Sequence, residues 1–135
     1  MKSRDTLVRL KRFQAEEKRR RVVQLNTMIA EFTRMSTELD REISHEEQRA
    51  NISDPSHFAY PTYARAARGR RDNIVASLNE LRGQLEEAEA QFKEANEELA
   101  KAQSQEARDR GAERMIDVVA ERRQADMPQA FRRGA

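Results

Sequence analysis

The chain has no cysteine and no tryptophan. Without cysteine there is no disulfide framework and no thiolate to hold a metal or attack a substrate. Only three prolines and four glycines interrupt the 135 residues. So few breakers suit long helices and argue against a disordered low-complexity chain. No run approaches the roughly 18 apolar residues of a membrane span, and no apolar signal core follows Met1. A cytoplasmic protein is the expectation. Histidine is scarce as well. His45 stands beside Glu46 and Glu47, but adjacent helix residues point in different directions and cannot chelate one ion. No glycine-rich phosphate loop, nucleophile elbow or catalytic carboxylate pair can be assembled. The expectation is therefore no enzyme, no cofactor, no metal and no small-molecule substrate. Asn51-Ile52-Ser53 spells a glycosylation sequon, which reads as chance without a secretion signal.

What the chain does have is a seam. Ala64, Ala67, Arg71, Ile74, Leu78, Leu81, Leu85, Ala88, Phe92, Ala95, Leu99 and Ala102 alternate in steps of three and four, and only Arg71 breaks the apolar series. A repeat of 3.5 residues marks a helix that supercoils against a partner helix. Val22, Leu25, Ile29, Phe32, Ser36, Leu39 and Ile43 form a matching seam, interrupted at Ser36 with Met35 beside it. The fold expected is all-α, a long antiparallel two-helix coiled-coil hairpin. Two packed helices enclose no cavity that would exclude water from a reaction.

The net charge of +2 conceals an asymmetry. Residues 1–21 hold nine Lys/Arg against three acids, and residues 80–106 hold eight acids against three bases. A fold-back near residue 56 places position i beside position 112 − i, so the basic stretch faces most of the acidic one. Opposite charges along an antiparallel seam select that register over others. The cations Lys11, Arg12 and Lys18-Arg19-Arg20-Arg21 admit a second reading, a phosphate-binding face, with only Phe13 as an interleaved aromatic.

Helix one is expected over about 3–50, with Ser3 as N-cap and Asp5 in the first turn. The break is Asn51-Ile52-Ser53-Asp54-Pro55, where Asp54 can cap a new helix and Pro55 suits its first position. Pro61 disfavours continuous helix through the preceding residue, so the tip spans about 51–61. Helix two follows from about 61 to 126, and Pro128 with a tail over 127–135 ends it. The whole reads as one domain.

Two patches qualify as contact surfaces. After Ala102 the second seam turns polar at Glu106, Asp109 and Glu113, then apolar again at Met115, Ile116, Val118 and Val119. In the register above, helix one has run out beyond about residue 111. These four residues, with Leu7, Val8 and Leu10 of the first turns, are expected to be exposed at the paired-terminus end. Apolar groups gathered there mark a docking site; the alternative is that the two terminal patches pack on each other through a register shift. At the tip, Phe58, Tyr60 and Tyr63 lie within six residues. They read either as a capping mini-core packed on Ile43 and Ala67, or as a partner-binding spot. Phe58 inward with a tyrosine outward would combine both.

The opening Lys2-Ser3-Arg4-Asp5-Thr6-Leu7-Val8-Arg9-Leu10-Lys11-Arg12, the two-helix layout and the tip phrase Phe58-Ala59-Tyr60-Pro61-Thr62-Tyr63-Ala64 leading to Arg70-Arg71-Asp72-Asn73 together resemble the FliJ family, stalk proteins of the bacterial flagellar type III export apparatus, in its alphaproteobacterial branch. The likeness covers essentially the whole chain. It implies a cytoplasmic coiled coil, peripherally associated with the membrane export apparatus, that serves flagellum biogenesis and motility. Its paired-terminus end would enter the hexameric export ATPase ring and regulate it. It would also contact the membrane-embedded export gate protein and escort export chaperones. A competing reading from the residues alone is a basic coiled-coil factor associated with nucleic acid or the ribosome.

Overall fold

A computed structural model of the chain describes residues 3–126. Lys2 and the expected tail over 127–135, with its stop at Pro128, lie outside the described residues. Two helices make up the fold: α1, Ser3–Ala50, and α2, Thr62–Ala125. They form an all-α antiparallel helical hairpin, with no strand among the described residues. Residues divide into two compact units, a tip unit of 16–93 and a terminal unit built from the two chain ends.

In the tip unit the burial pattern follows the 3.5-residue seam. Leu25, Ile43, Ala64, Ala67, Leu78, Leu81 and Ala88 are buried, and Val22, Ile29, Phe32, Ser36, Leu39, Ile74, Leu85 and Phe92 are half-buried. Leu25 is fully buried and clusters with Leu81 and Ala88, against which Val22, Ile29, Phe32 and Leu85 pack. The alanine leaves a hole that the leucine fills, as knobs-into-holes packing requires. Burying one such leucine contributes about 1.5–3 kcal/mol, so a seam one layer thick rests on few residues.

Arg71 breaks the apolar series without opening the helix pair. Its guanidinium leaves the seam to donate to Asp40 at 3.1 Å and to Asp72 at 3.0 and 3.2 Å. The stem stays in the seam while the charged head reaches water, the usual compromise for a long cation. Its hydrogen bonds to the Asp72 and Asp40 carboxylates raise the guanidinium pKa further above its ordinary value. The register lies close to the sequence expectation: Arg71 meets Asp40 where position 41 was expected.

The end of α1 is a Schellman motif. Asn51 takes a left-handed φ of 55°, its N–H donates to the Gln48 carbonyl at 3.2 Å, and Ile52 N–H donates to the Glu47 carbonyl at 3.1 Å. Asparagine tolerates that conformation better than other residues with a Cβ. Asp54 then caps a single turn and not a helix: its carboxylate accepts from Ser56 N–H at 2.9 Å and Ser56 Oγ–H at 2.7 Å. The Ser56 N–H bond holds the Asp54 carboxyl below its usual range. That contribution is present above the ordinary carboxylate pKa and is lost as pH falls through the lowered one. Regular helix resumes at Thr62, after Pro61.

A chain without cysteine allows a clean test of this pairing. Arg21 Nη2 donates to Gln84 Oε1 at 3.3 Å. Arg21→Cys with Gln84→Cys, treated with a short bis-maleimide reagent, should give a linked species of monomer mass on a denaturing gel. Linked dimers alone would mean that the helices pair between chains.

Candidate functional site

Of the arrangements the sequence leaves open at the tip, the combination with Phe58 inward is not the one found. Tyr60 is 4% exposed and Phe58 is 94% exposed, so the tyrosine is inward and the phenylalanine outward. The reason lies in hydrogen bonding. Tyr60 O–H donates to Glu47 Oε2 at 3.2 Å and accepts from Arg68 Nε–H at 2.9 Å. Arg68 also pairs with Glu47 at 3.6 Å, and the guanidinium carbons of Arg65 and Arg68 lie 5.4 and 5.9 Å from the Tyr60 ring centre. A phenol can satisfy its polar end inside such a cluster, whereas a phenylalanine gives the cluster nothing to bond. Tyr60 therefore closes the tip unit and is not presented to a partner.

Phe58 stacks on His57, ring centres 4.8 Å apart and planes 21° from parallel. His57 Nδ1 accepts the Ala59 N–H at 3.0 Å, which fixes the imidazole and with it the platform under Phe58. Tyr63 is half exposed, and its O–H donates to Glu42 at 2.9 Å. That bond, and then the Glu42 charge, push the phenol pKa up. Phe58 and Tyr63 remain as the tip's accessible aromatics.

Beside Tyr63 lies an open groove that sequence reading did not foresee. Met35, Leu39, Tyr63 and Ile74 give it an apolar surface, with Glu38, Glu42, Arg70 and Asn73 around it. Its lining residues Met35 and Arg70 are the chain neighbours of the two seam interruptions, Ser36 and Arg71. Met28 and Met35, both exposed and seven residues apart, mark the same flank of α1; that heptad spacing was the available signal.

In the terminal unit the expected exposed patch divides. Leu7 and Leu10 are exposed, but Val8 is only 7% exposed. This corrects the expectation that Val8 is exposed. Counting the first seam backwards from Val22 gives positions 18, 15, 11, 8 and 4, so Val8 is a core position, and Ala15 is buried with it. The seam of α2 likewise continues past Ala102, with Glu106, Asp109 and Glu113 half-buried. Arg4 donates to both carboxylate oxygens of Glu113 at 2.9 Å and lies 4.0 Å from Asp109. The Glu113 hydrogen bonds raise the Arg4 pKa. Pairing between the helices thus reaches residue 113, slightly beyond the expected limit of about 111.

Beyond Glu113, α2 runs on for another three turns. Met115 and Ile116 are 64% and 68% exposed, and Val118 and Val119 are exposed as well. At 100° per residue these four occupy one side of the helix. Arg108, Arg122 and Arg123 fall on that same side, bracketing the apolar stripe. Among the described residues this is a patch with few apolar neighbours to cover it.

The basic stretch is partly spent within the chain. In the terminal unit Lys11 Nζ donates to Glu98 at 2.9 Å. In the tip unit Lys18 Nζ donates to Gln91 at 3.2 Å, and Arg19 and Arg20 pair with Glu16 along α1. The Arg19 bond lowers the Glu16 carboxyl pKa. Among the described residues no group of three His, Cys, Asp or Glu could hold a metal ion, and no helix is long and apolar enough to cross a membrane. In comparisons with protein-family models, curated proteins and solved structures, nothing matches this chain.

Proposed function

We propose that this chain is a non-enzymatic coiled-coil stalk of a flagellar type III export apparatus, which enters the export ATPase ring by its terminal unit and meets the export gate by its tip. The resemblance of the sequence to the FliJ family supplies the identity of these partners. The observation that carries the reading is the exposed stripe of Met115, Ile116, Val118 and Val119 on α2. Apolar side chains gathered on one exposed helix face lose water favourably only against a partner. The arginines at 108, 122 and 123 on the same side suit carboxylates at the edge of an apolar bore. Leu7 and Leu10 extend the contact; Val8 supports it from inside.

At the tip, Phe58 on its His57 platform is the contact for the gate, with Tyr63 beside it. Tyr60 shapes the tip without touching the partner. Phe58→Ala should leave the thermal melt within about 0.5 kcal/mol of the parent, as exposed substitutions do. It should weaken gate binding by at least about tenfold, the loss expected of an aromatic anchor. Isothermal titration against the soluble gate domain measures this; unchanged affinity would remove Phe58 from the interface.

Stimulation of the export ATPase by the purified chain tests the central proposal. A nucleic-acid factor would instead show steeply salt-dependent binding to DNA or RNA and no effect on the ATPase. That outcome would replace the stalk reading.

A further inference from the structure

The two units hold their helices together by different means. In the tip unit leucine, isoleucine and phenylalanine supply most of the seam's bulk, with Ala64, Ala67 and Ala88 between them and Ser36 and Arg71 as its two polar interruptions. In the terminal unit its α1 positions are Arg4, Val8, Lys11 and Ala15, facing Ala95, Leu99, Ala102, Glu106, Asp109 and Glu113. Only Val8 and Leu99 are apolar side chains larger than alanine. Each missing methylene forgoes about 0.8 kcal/mol of burial, so the apolar part of this pairing is weak.

Charge takes its place. Arg4 is tied to Glu113 and Asp109, Lys11 to Glu98, and Arg110 to Asp5 at 3.5 Å and to Glu106 on its own helix. These side chains are 14–56% exposed, so mobile ions reach them and screen them. The closed state also carries a cost: Arg4 Nε is buried without a hydrogen bond, and opening returns it to water. Gly111 lies in the same stretch of α2, where a Cβ would meet nothing within 4 Å. Packing does not demand glycine there, and glycine loosens the helix.

We propose that residues 3–15 and 94–113 form a charge-held clasp, whose two helix segments separate when competing ions displace Arg4, Lys11 and Arg110 from their carboxylates, while the apolar seam of the tip unit stays closed. A partner with a highly charged surface acts on the clasp as salt does. Opening uncovers Val8 and Ala15 on one segment and Leu99 and Ala102 on the other. This inference does not depend on which partner the chain serves.

Amide hydrogen exchange on the full chain at 0.05 and 1 M sodium chloride, read by mass spectrometry, tests it. The higher salt should accelerate exchange over 5–15 and 98–113 by at least about tenfold, and over 20–45 and 64–90 by less than about twofold. Arg4→Leu and Glu113→Leu combined with Lys11→Leu and Glu98→Leu should abolish the acceleration, since an apolar seam does not depend on screening. Should that variant self-associate, Arg4→Glu alone should open the clasp at low salt, and Arg4→Glu with Glu113→Arg should restore closure and its salt response. Equal acceleration in both units, none in the parent, or an unchanged low-salt pattern in Arg4→Glu would overturn the clasp.

Discussion

Leu25→Ala should destabilise the hairpin by about 3–5 kcal/mol, the upper part of the range for leucine truncation in a core. Leu25 is fully buried and sits where Leu81, Leu85 and Ala88 converge with Val22, Ile29 and Phe32. A two-helix seam has no second layer that can collapse into the space left behind. Native domains are stable by only about 5–15 kcal/mol, so this one substitution removes a large share of the total. Val23→Ala, two residues away on the exposed side, should stay within about 0.5 kcal/mol of the parent. Urea denaturation followed by circular dichroism compares the two. If both substitutions move the midpoint equally, the helices are not held by this seam, and the fold's stability lies elsewhere.

The helices were legible because a single physical requirement, apolar contact every 3.5 residues, writes itself into the sequence at Leu25, Ile43, Leu78 and Leu81. The break was legible because Pro55 and Pro61 have a narrow backbone role and Asp54 is a ready cap; the left-handed Asn51 that ends α1 was not read from the sequence. Val8 was misread because its seam neighbours are Arg4 and Lys11. Cations at core positions look like a solvated face until their carboxylates are known, and Glu113 and Glu98 lie about a hundred residues away. The tip was left open between two readings for a different reason. Outside regular helix, spacing says nothing about which way a side chain points. The choice between Phe58 and Tyr60 was made by Glu47 and Arg68, which offer a phenol oxygen both an acceptor and a donor.

The second large effect expected is on partner binding, from Val118→Asp with Val119→Asp. Both valines are exposed on α2 beyond Glu113, where Arg4, in the first turn of α1, has already made its contact. Aspartate there breaks no observed packing. The melting temperature should stay close to the parent's, with a small loss of helicity from aspartate's lower propensity, about 0.5 kcal/mol or less per site. Binding is another matter. Two carboxylates placed in the proposed apolar bore would lose hydration without gaining partners, and each such burial costs several kcal/mol. They also stand beside the acidic groups that Arg122 and Arg123 are proposed to meet. Affinity for the ATPase ring should fall by at least about 100-fold, the scale of a central hot spot, and stimulation of the ATPase should disappear. Val118→Leu with Val119→Leu should keep both, which separates loss of apolar contact from mere change of shape. Unfolding of the aspartate variant would assign these valines to the core. Full stimulation by it would place the ring contact away from this stripe, with Leu7 and Leu10 on α1 the next residues to test.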